Sequence, residues 1–375
     1  MNIARLSALL LFTMMLIPIG ASAHCKGKHT GNHEHCSGGD PPPPPPVESC
    51  ADATGVFPSF AYSTDIHDGK HGTLSGHDLF LANSDGDCSI KIHTNNATDW
   101  LNVSYRQDGS QGRLVWSQSE ETGLGRRSND KGKPVVKMLD ITVVDGELAS
   151  SSLSTVYMHP TGTSVAIFDA ELSPDGNTIF YSFEGSDGSG GWVDSIHSID
   201  VSSCSSGCAS QIIAGPGQFG ASRLSMNSSG QRLYFSGSTF GIGFLEVTGM
   251  TFSAIRTVAS VTDPEYVGSQ PYDISVGSWD FDGDGSANDV VAISLDNVQT
   301  VDILDVTQCS VSPSPISCLA SGDSSIIRTG IPGENMDFQA EDLLIDNVND
   351  IGLLDTDSLS PPTVLLQGNW PDSAN

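Results

Sequence analysis

Four aspartates, Asp280, Asp282, Asp284 and Asp289, crowd into the stretch SWDFDGDGSANDVV. The first three occupy alternate positions, and Gly285 and Ser286 follow. A tightly turning backbone with this spacing aims several oxygens at one hard cation, with the Ser286 carbonyl added and Asn288 or Asp289 next in line. Asp280, Asp282, Asp284, Ser286, Asn288 and Asp289 are therefore the candidate calcium ligands. A solvated acidic turn is the competing reading.

The histidines offer a second chemistry. Eight of the ten precede residue 94. His24, His29, His33 and His35 lie in HCKGKHTGNHEHC, and imidazoles at this density bind borderline metals such as copper, zinc or nickel. Adventitious capture is the alternative. A second group, Asp65, His67, Asp68, His71, His77 and Asp78, lies in one polar loop. His159 and His197 read as structural. GPGQFG at Gly215, Gly217 and Gly220 has dinucleotide-loop spacing, but a strand pattern follows it where a phosphate-binding helix would be needed. No GxSxG or HExxH occurs. Asn96, Asn102 and Asn227 occupy glycosylation sequons.

These residues need positioning, and the chain divides accordingly. Residues 1–23 carry Arg5, an apolar run and a small-residue Ala21-Ser22-Ala23 end. That is the pattern of a signal peptide cut after Ala23, so the protein is expected to be secreted or periplasmic. Residues 24–49 contain the histidines and six consecutive prolines. With no core-forming residues they are expected to be a disordered leader. Residues 50–375 form the folded domain, with no further membrane span. A formal charge of −29 argues against nucleic acid and anionic membranes. The eight cysteines of an exported chain predict disulfides. Spacing suggests Cys204–Cys208, Cys309–Cys318, Cys25–Cys36 and Cys50–Cys88.

One pattern recurs from about Phe57 onward: a strand, a polar turn ending in Gly, an aromatic-rich strand, then two more strands. ELSPDGNTIFYSF, SYRQDGSQGRLVWSQ and SMNSSGQRLYFSG align in this way. Period-two alternation makes the fold all-β. A repeat of about 50 residues with four strands reads as a β-propeller. Six units start near Phe57, Leu101, Ser164, Ala221, Tyr272 and Asp337, and their uneven lengths leave five or seven blades open. The first unit lacks its opening strand, and LQGNWPDSAN at the C-terminus is positioned to supply it.

LSPDGNTIFYSF followed by DSIHSIDV, through Ser173, Pro174, Asp175 and Gly176, resembles the TolB-like propeller repeat of the WD-repeat type. The Asp-rich stretch resembles the calcium loop of FG-GAP-type propellers, with one extra residue before the last acid. It departs from an EF-hand, whose twelfth position here is Val291. The resemblance implies a propeller fold, and its members include binding modules, peptidase propeller domains and lyases.

The calcium loop replaces a turn between the first two strands of the fifth unit, which gives a bound cation a stabilising role. Long loops join the second and third strands of units one to three. They carry His67, His71, Arg126, Arg127, Lys131, Asp187 and Trp192, a candidate ligand rim. The expectation is an exported, non-catalytic propeller that binds a protein or envelope ligand. The alternatives are a metal-handling protein that uses the leader, and a propeller-type hydrolase or metal-dependent lyase.

Overall fold

Two of the three aligned turns, at Ser173 and Asn227, build one hairpin, and Asn83 builds it a third time, whereas SYRQDGSQG turns in two residues with Asp108 opposite Gln111. At Ser173, Asn83 and Asn227 the first residue's N–H donates to the carbonyl five residues on, at 2.8, 3.1 and 3.1 Å. Its side-chain oxygen accepts the N–H of that same residue: Thr178 at 2.9 Å, Cys88 at 3.0 Å and Arg232 at 3.0 Å. The fourth residue must then turn left-handed. Gly176, Gly86 and Gly230 do so at φ 65°, 68° and 69°. Ser and Asn are interchangeable here because either presents an oxygen one or two bonds beyond Cβ.

A computed structural model of the chain describes residues 49–375, except 68–73, 98–100, 120–131, 161–164, 187–191, 218–220, 238–240, 265, 267–270, 280–287, 296–299, 311–315, 333–334, 340–341, 348–349, 355–362, 368 and 374–375. The strands in chain order are β1 (Phe60–His67), β2 (Leu74–Ala82) and β3 (Ser89–Asn95), then β4 (Val103–Asp108), β5 (Gln111–Ser119), β6 (Pro134–Val144) and β7 (Glu147–Met158). Next come β8 (Val165–Leu172), β9 (Thr178–Ser186), β10 (Trp192–Asp200) and β11 (Ser210–Gly217). The fourth group is β12 (Ala221–Met226), β13 (Arg232–Gly237), β14 (Gly241–Thr248), β15 (Thr251–Phe252) and β16 (Arg256–Ala259). The last are β17 (Pro271–Trp279), β18 (Asn288–Leu295), β19 (Thr300–Asp305), β20 (Ser325–Pro332), β21 (Asn335–Gln339), β22 (Asp342–Asn347), β23 (Asp350–Leu354), β24 (Thr363–Gln367) and β25 (Asn369–Ser373).

These strands form six antiparallel sheets: each of the first four groups makes one, the last group makes two, β17–β20 and β21–β24, and β25 joins β1–β3. Five sheets have four strands, and that of β12–β16 has five because β15 pairs with the end of β14. The first sheet runs β25-β1-β2-β3, so the C-terminal strand supplies the missing opening strand, with Phe60 opposite Ser373 and Tyr62 opposite Pro371. The opening strands touch in the order β25, β4, β8, β12, β17, β21, and β21 meets β25 again. This closed ring is the propeller of four-stranded blades that the repeat predicts.

Apolar residues of neighbouring sheets fill the wedges between them. Leu81, Tyr105 and Trp116 join the first two sheets, Met138, Leu172 and Tyr181 the next two. Phe180 and Phe235, then Phe244 and Ile293, then Ile303 and Met336 continue around the ring. Each such side chain is worth about 1.5–3 kcal/mol when fully buried.

Three expected disulfides form: Cys50–Cys88, Cys204–Cys208 and Cys309–Cys318, with Cα separations of 5.8, 5.7 and 5.6 Å. Cys88 and the two later bridges all sit at joins between the third and fourth strands of alternate sheets. Cys25–Cys36 lies outside the described residues, as does the leader. Among the described residues no helix is long and apolar enough to cross a membrane.

Candidate functional site at the ring axis and rim

The opening strands carry polar side chains where a purely apolar core would not. Aligned on their turns, Asn102, Asp169, Arg223 and Asp273 occupy one equivalent position, and Ser104, Glu171, Ser225 and Ser275 occupy the next but one. In a strand both positions share a face. Here that face meets the main chain of the following sheet. Ser104 Oγ accepts from Leu172 N at 3.0 Å, Glu171 Oε1 from Met226 N at 3.2 Å, and Ser225 Oγ from Val276 N at 3.1 Å. Asp169 Oδ2 accepts from Leu224 N at 2.7 Å, and Asp273 Oδ2 from Met336 N at 2.9 Å. Two tiers of side-chain-to-backbone bonds thus tie five successive sheets together.

Two arginines offset part of the carboxylate charge inside these tiers. Arg106 Nη2 lies 2.6 Å from Glu171 Oε1, and Arg223 Nε lies 3.7 Å from Asp273 Oδ1. Asn102 Nδ2 donates to Asp169 Oδ1 at 2.8 Å. Burial pushes the Asp169 carboxyl above its ordinary range, opposed by Arg223 and the N–H donors. Burial pushes Asp273 up to about 7, again opposed by Arg223. A cavity of about 20 Å³ lies among Ser104, Arg106, Glu171, Ser225, Asp273 and Met336, room for about one water.

The raised Asp273 value has a measurable consequence. A carboxyl whose folded-state value exceeds its unfolded value contributes full stability below the unfolded value. It loses that stability as pH rises through the folded one. Asp273 should therefore weaken the fold between about pH 4 and 7. Asp273→Asn keeps an acceptor for Met336 N and removes the titration. Urea unfolding of both proteins at pH 5 and 8 should show the variant losing less stability, by on the order of 1–3 kcal/mol. Parallel pH profiles would refute the assignment.

A different constellation sits between the second and third sheets. Ser195 Oγ lies 2.7 Å from His197 Nε2, and His197 Nδ1 lies 3.1 Å from Ser210 Oγ. Tyr181 OH in turn lies 2.6 Å from Ser210 Oγ. This has the outline of a nucleophile and base. Ser195 is buried, however, and the His197 ring is stacked at 4.9 Å on Tyr181. Burial, with His159 nearby, lowers the His197 value to about 4, so the ring is neutral near pH 7. The group that orients it is a hydroxyl rather than a carboxylate. The arrangement satisfies polar atoms in an interblade wedge, the structural role expected of His197.

Two larger grooves open between sheets at the turn side. One of about 410 Å³ between the second and third sheets is lined by Arg106, Arg113, Asp140 and Asp175. Another of about 610 Å³ between the fourth and fifth is lined by Arg232, Glu246 and Asp289. Arg113–Asp140 at 2.6 Å and Arg232–Glu246 at 3.9 Å are equivalent pairs, each crossing from second to third strand. Arg113 also donates to Gly176 O at 2.6 Å and Arg232 to Val306 O at 3.4 Å, each bridging to the next sheet.

The residues singled out in the sequence fall as follows. Asp280, Asp282, Asp284 and Ser286 lie outside the described residues, in the segment joining β17 to β18. Asn288 and Asp289 begin β18, opposite Trp279 and Ser278. Asn288 Nδ2 donates to Asp305 Oδ2 at 3.2 Å, and Asp289 N to Thr307 Oγ1 at 3.0 Å. On the rim, His67 ends β1 and Trp192 opens β10. His71, Arg126, Arg127, Lys131 and Asp187 lie outside the described residues, as do His24, His29, His33 and His35. Beside that rim, His77 Nδ1 lies 3.0 Å from Asp65 Oδ1, and Asp78 pairs with Lys91 at 2.6 Å. The strand ends flanking 68–73, 120–131 and 187–191 lie at one end of their sheets, and those flanking 280–287 at the other, because successive strands are antiparallel.

The axial polar residues Arg106, Asp169, Glu171, Arg223 and Asp273 were not among the expected site residues. Their signal was present: β4, β8, β12 and β17 each carry a charged residue on the alternation of their inward polar positions, Arg106, Asp169 with Glu171, Arg223 and Asp273.

The fold defines the chain as a β-propeller. No protein-family profile matches it. No curated protein matches it either. Among solved structures it is similar to a candidate 6-phosphogluconolactonase from Bacteroides fragilis, at 13% identity over 85% of this chain and 99% of that one, with a TM-score of 0.43. It is similar to puromycin hydrolase, at 9% identity over 83% of this chain and 52% of that one, with a TM-score of 0.49. A third likeness is to the β-propeller domain of Myceliophteria thermophila Cps50 (Swd1), at 10% identity over 76% of this chain and 94% of that one, with a TM-score of 0.38. The chain spans about half the length of puromycin hydrolase. None of these likenesses bears on activity.

Proposed function

We propose that the chain is an exported, non-catalytic propeller of the TolB-like type that binds a protein or envelope ligand through the rim of its second-to-third strand joins. One observation carries this reading. The axial carboxylates that a propeller enzyme would turn toward a substrate are spent here on the next sheet's N–H groups and on arginines, around a cavity of about 20 Å³. A group whose lone pairs are so engaged is poorly placed to move a proton to a substrate. The Ser-Pro-Asp-Gly turn supports the TolB-like assignment. The three disulfides suit export.

The test is site-specific photocrosslinking in the native host. A photoreactive residue at Arg126 should trap a partner, whereas one at Asp175, on the opposite face, should not. Equal trapping at both positions, or none at either, would sink the proposal. Hydrolysis of ester or peptide substrates, lost on substituting Glu171 or Asp273 in a folded protein, would favour an enzyme instead.

We also propose that Asp280 to Asp289 hold a stabilising calcium ion. The segment closes the β17–β18 hairpin, where a cation would neutralise clustered acids. Chelation with EDTA should lower the melting temperature of the parent protein, and Asp282→Ala should abolish that response. A melting temperature indifferent to EDTA would refute it.

A further inference from the structure

Among the described residues the outer edges of the sheets are closed in different ways, and one is left open. β7 runs for 12 residues, Glu147–Met158, as the last strand of the second sheet. Its two ends are engaged. Cys50 N donates to Gly146 O at 2.9 Å, just before the strand. Gly207 N and Cys208 N donate to Thr155 O and Val156 O at 3.3 and 2.7 Å. Between them, from Leu148 to Ser154, β6 is the only strand paired with β7 among the described residues. Ala149, Ser150, Ser151, Ser152 and Leu153 are exposed, Leu153 at 46%.

An open edge offers unpaired N–H and C=O groups to another strand, and proteins normally blunt it with lysine, proline or brevity. The other outer strands follow that rule. β3 carries Lys91, β11 carries Pro216, and β20 carries Arg328 and Pro332. β16 has four residues and β24 five. β7, ELASSSLSTVYM, has no lysine, arginine or proline. Its one charge is Glu147, in a chain whose formal charge is −29. A second copy approaching this edge therefore meets little local repulsion. The stretch also matches itself. Paired antiparallel about Ser151, it places Ser150 opposite Ser152 and Ala149 opposite Leu153, and hydroxyl pairs of this kind favour cross-strand association.

We propose that the β7 edge, residues 148–154, is a homodimer interface, in which it pairs antiparallel with the same strand of a second chain. A two-fold axis makes such an interface isologous. A seven-residue strand pair buries less than the roughly 1,000 Å² of a durable interface, so the dimer is weak and concentration-dependent. Salt strengthens it, because the long-range repulsion between two acidic chains is screened.

Sedimentation equilibrium of the full chain tests this, from about 1 to 300 µM and at about 0.05 and 0.5 M NaCl. The dimer fraction should rise with both protein and salt. Neighbouring residues in a strand point their N–H groups in opposite directions, so only one of Ser151→Pro and Ser152→Pro removes an outward donor. That variant should keep the parent melting temperature and remain monomeric throughout. Leu153→Glu should do the same. A parent protein that is monomeric at the highest concentration and salt overturns the proposal. So does a dimer undiminished in the variants that keep their fold. A dimer that appears only after residues 1–48 are removed also overturns it, by assigning the edge to the chain's own leader.

Discussion

Deleting residues 369–375 removes β25 and should abolish cooperative unfolding of the whole ring, rather than fray one end of it. β25 is the opening strand of the first sheet, and it touches both β4 and β21. Without it β1 becomes an exposed inner edge, and Phe60, Ala61 and Tyr62, all buried in the intact ring, lose their cover. The ring is also cut, so β4 and β21 no longer meet a common neighbour. Loss of one strand's ladder and of two wedge contacts should lower the melting temperature by more than about 10 °C, or yield an aggregating protein without a sharp transition. Circular dichroism melts of the deletion and of a control lacking only residues 374–375 decide the matter. Equal melting of the two would show that the C-terminal strand does not hold the ring shut.

Arg106→Met should cost about 3–5 kcal/mol near pH 8, through a buried charge left without its counterion. Arg106 is 4% exposed. It donates to Glu171 at 2.6 Å, to Tyr105 O at 2.8 Å and to Leu172 O at 3.2 Å. Methionine fills similar volume but replaces none of these bonds. Glu171 keeps its Met226 N–H but loses its cation. The double variant Arg106→Met, Glu171→Met removes both charges together, so it should be more stable than the single one and yield a coupling energy of roughly 1–3 kcal/mol. Urea unfolding of the four proteins in the cycle measures it. A single-variant loss below about 1 kcal/mol would mean that solvent reaches the pair and that the axis is not a closed polar core.

Features that depend on neighbours along the chain are legible in the residues alone. Ser173 and Asn227 announce their hairpins because the turn bonds span only five residues. Cys204–Cys208 and Cys309–Cys318 pair across short loops. From the second unit onward the unit starts fall within a few residues of the opening strands because alternation and turn chemistry are local. Even ring closure was legible, since LQGNWPDSAN repeats the opening pattern that the first unit lacks. Cys25–Cys36, the metal-binding leader, most of the calcium loop and most of the ligand rim lie outside the described residues, so they stand as sequence expectations.

What the inward polar residues do depends on contacts between sheets. Alternation places Asp169 with Glu171, and Arg223 with Ser225, on one face of a strand. It does not say that this face meets the N–H groups of a strand some fifty residues away. Whether a carboxylate serves catalysis or cohesion depends on which donors surround it, and those donors arrive from another sheet. The same holds for Ser195 and His197: spacing brings them within reach of each other, but stacking on Tyr181 and burial between sheets make them part of a wedge. The edge of β7, unpaired among the described residues, is likewise invisible in a strand pattern, because a strand's neighbours are a property of the assembled sheet rather than of the residues that form it.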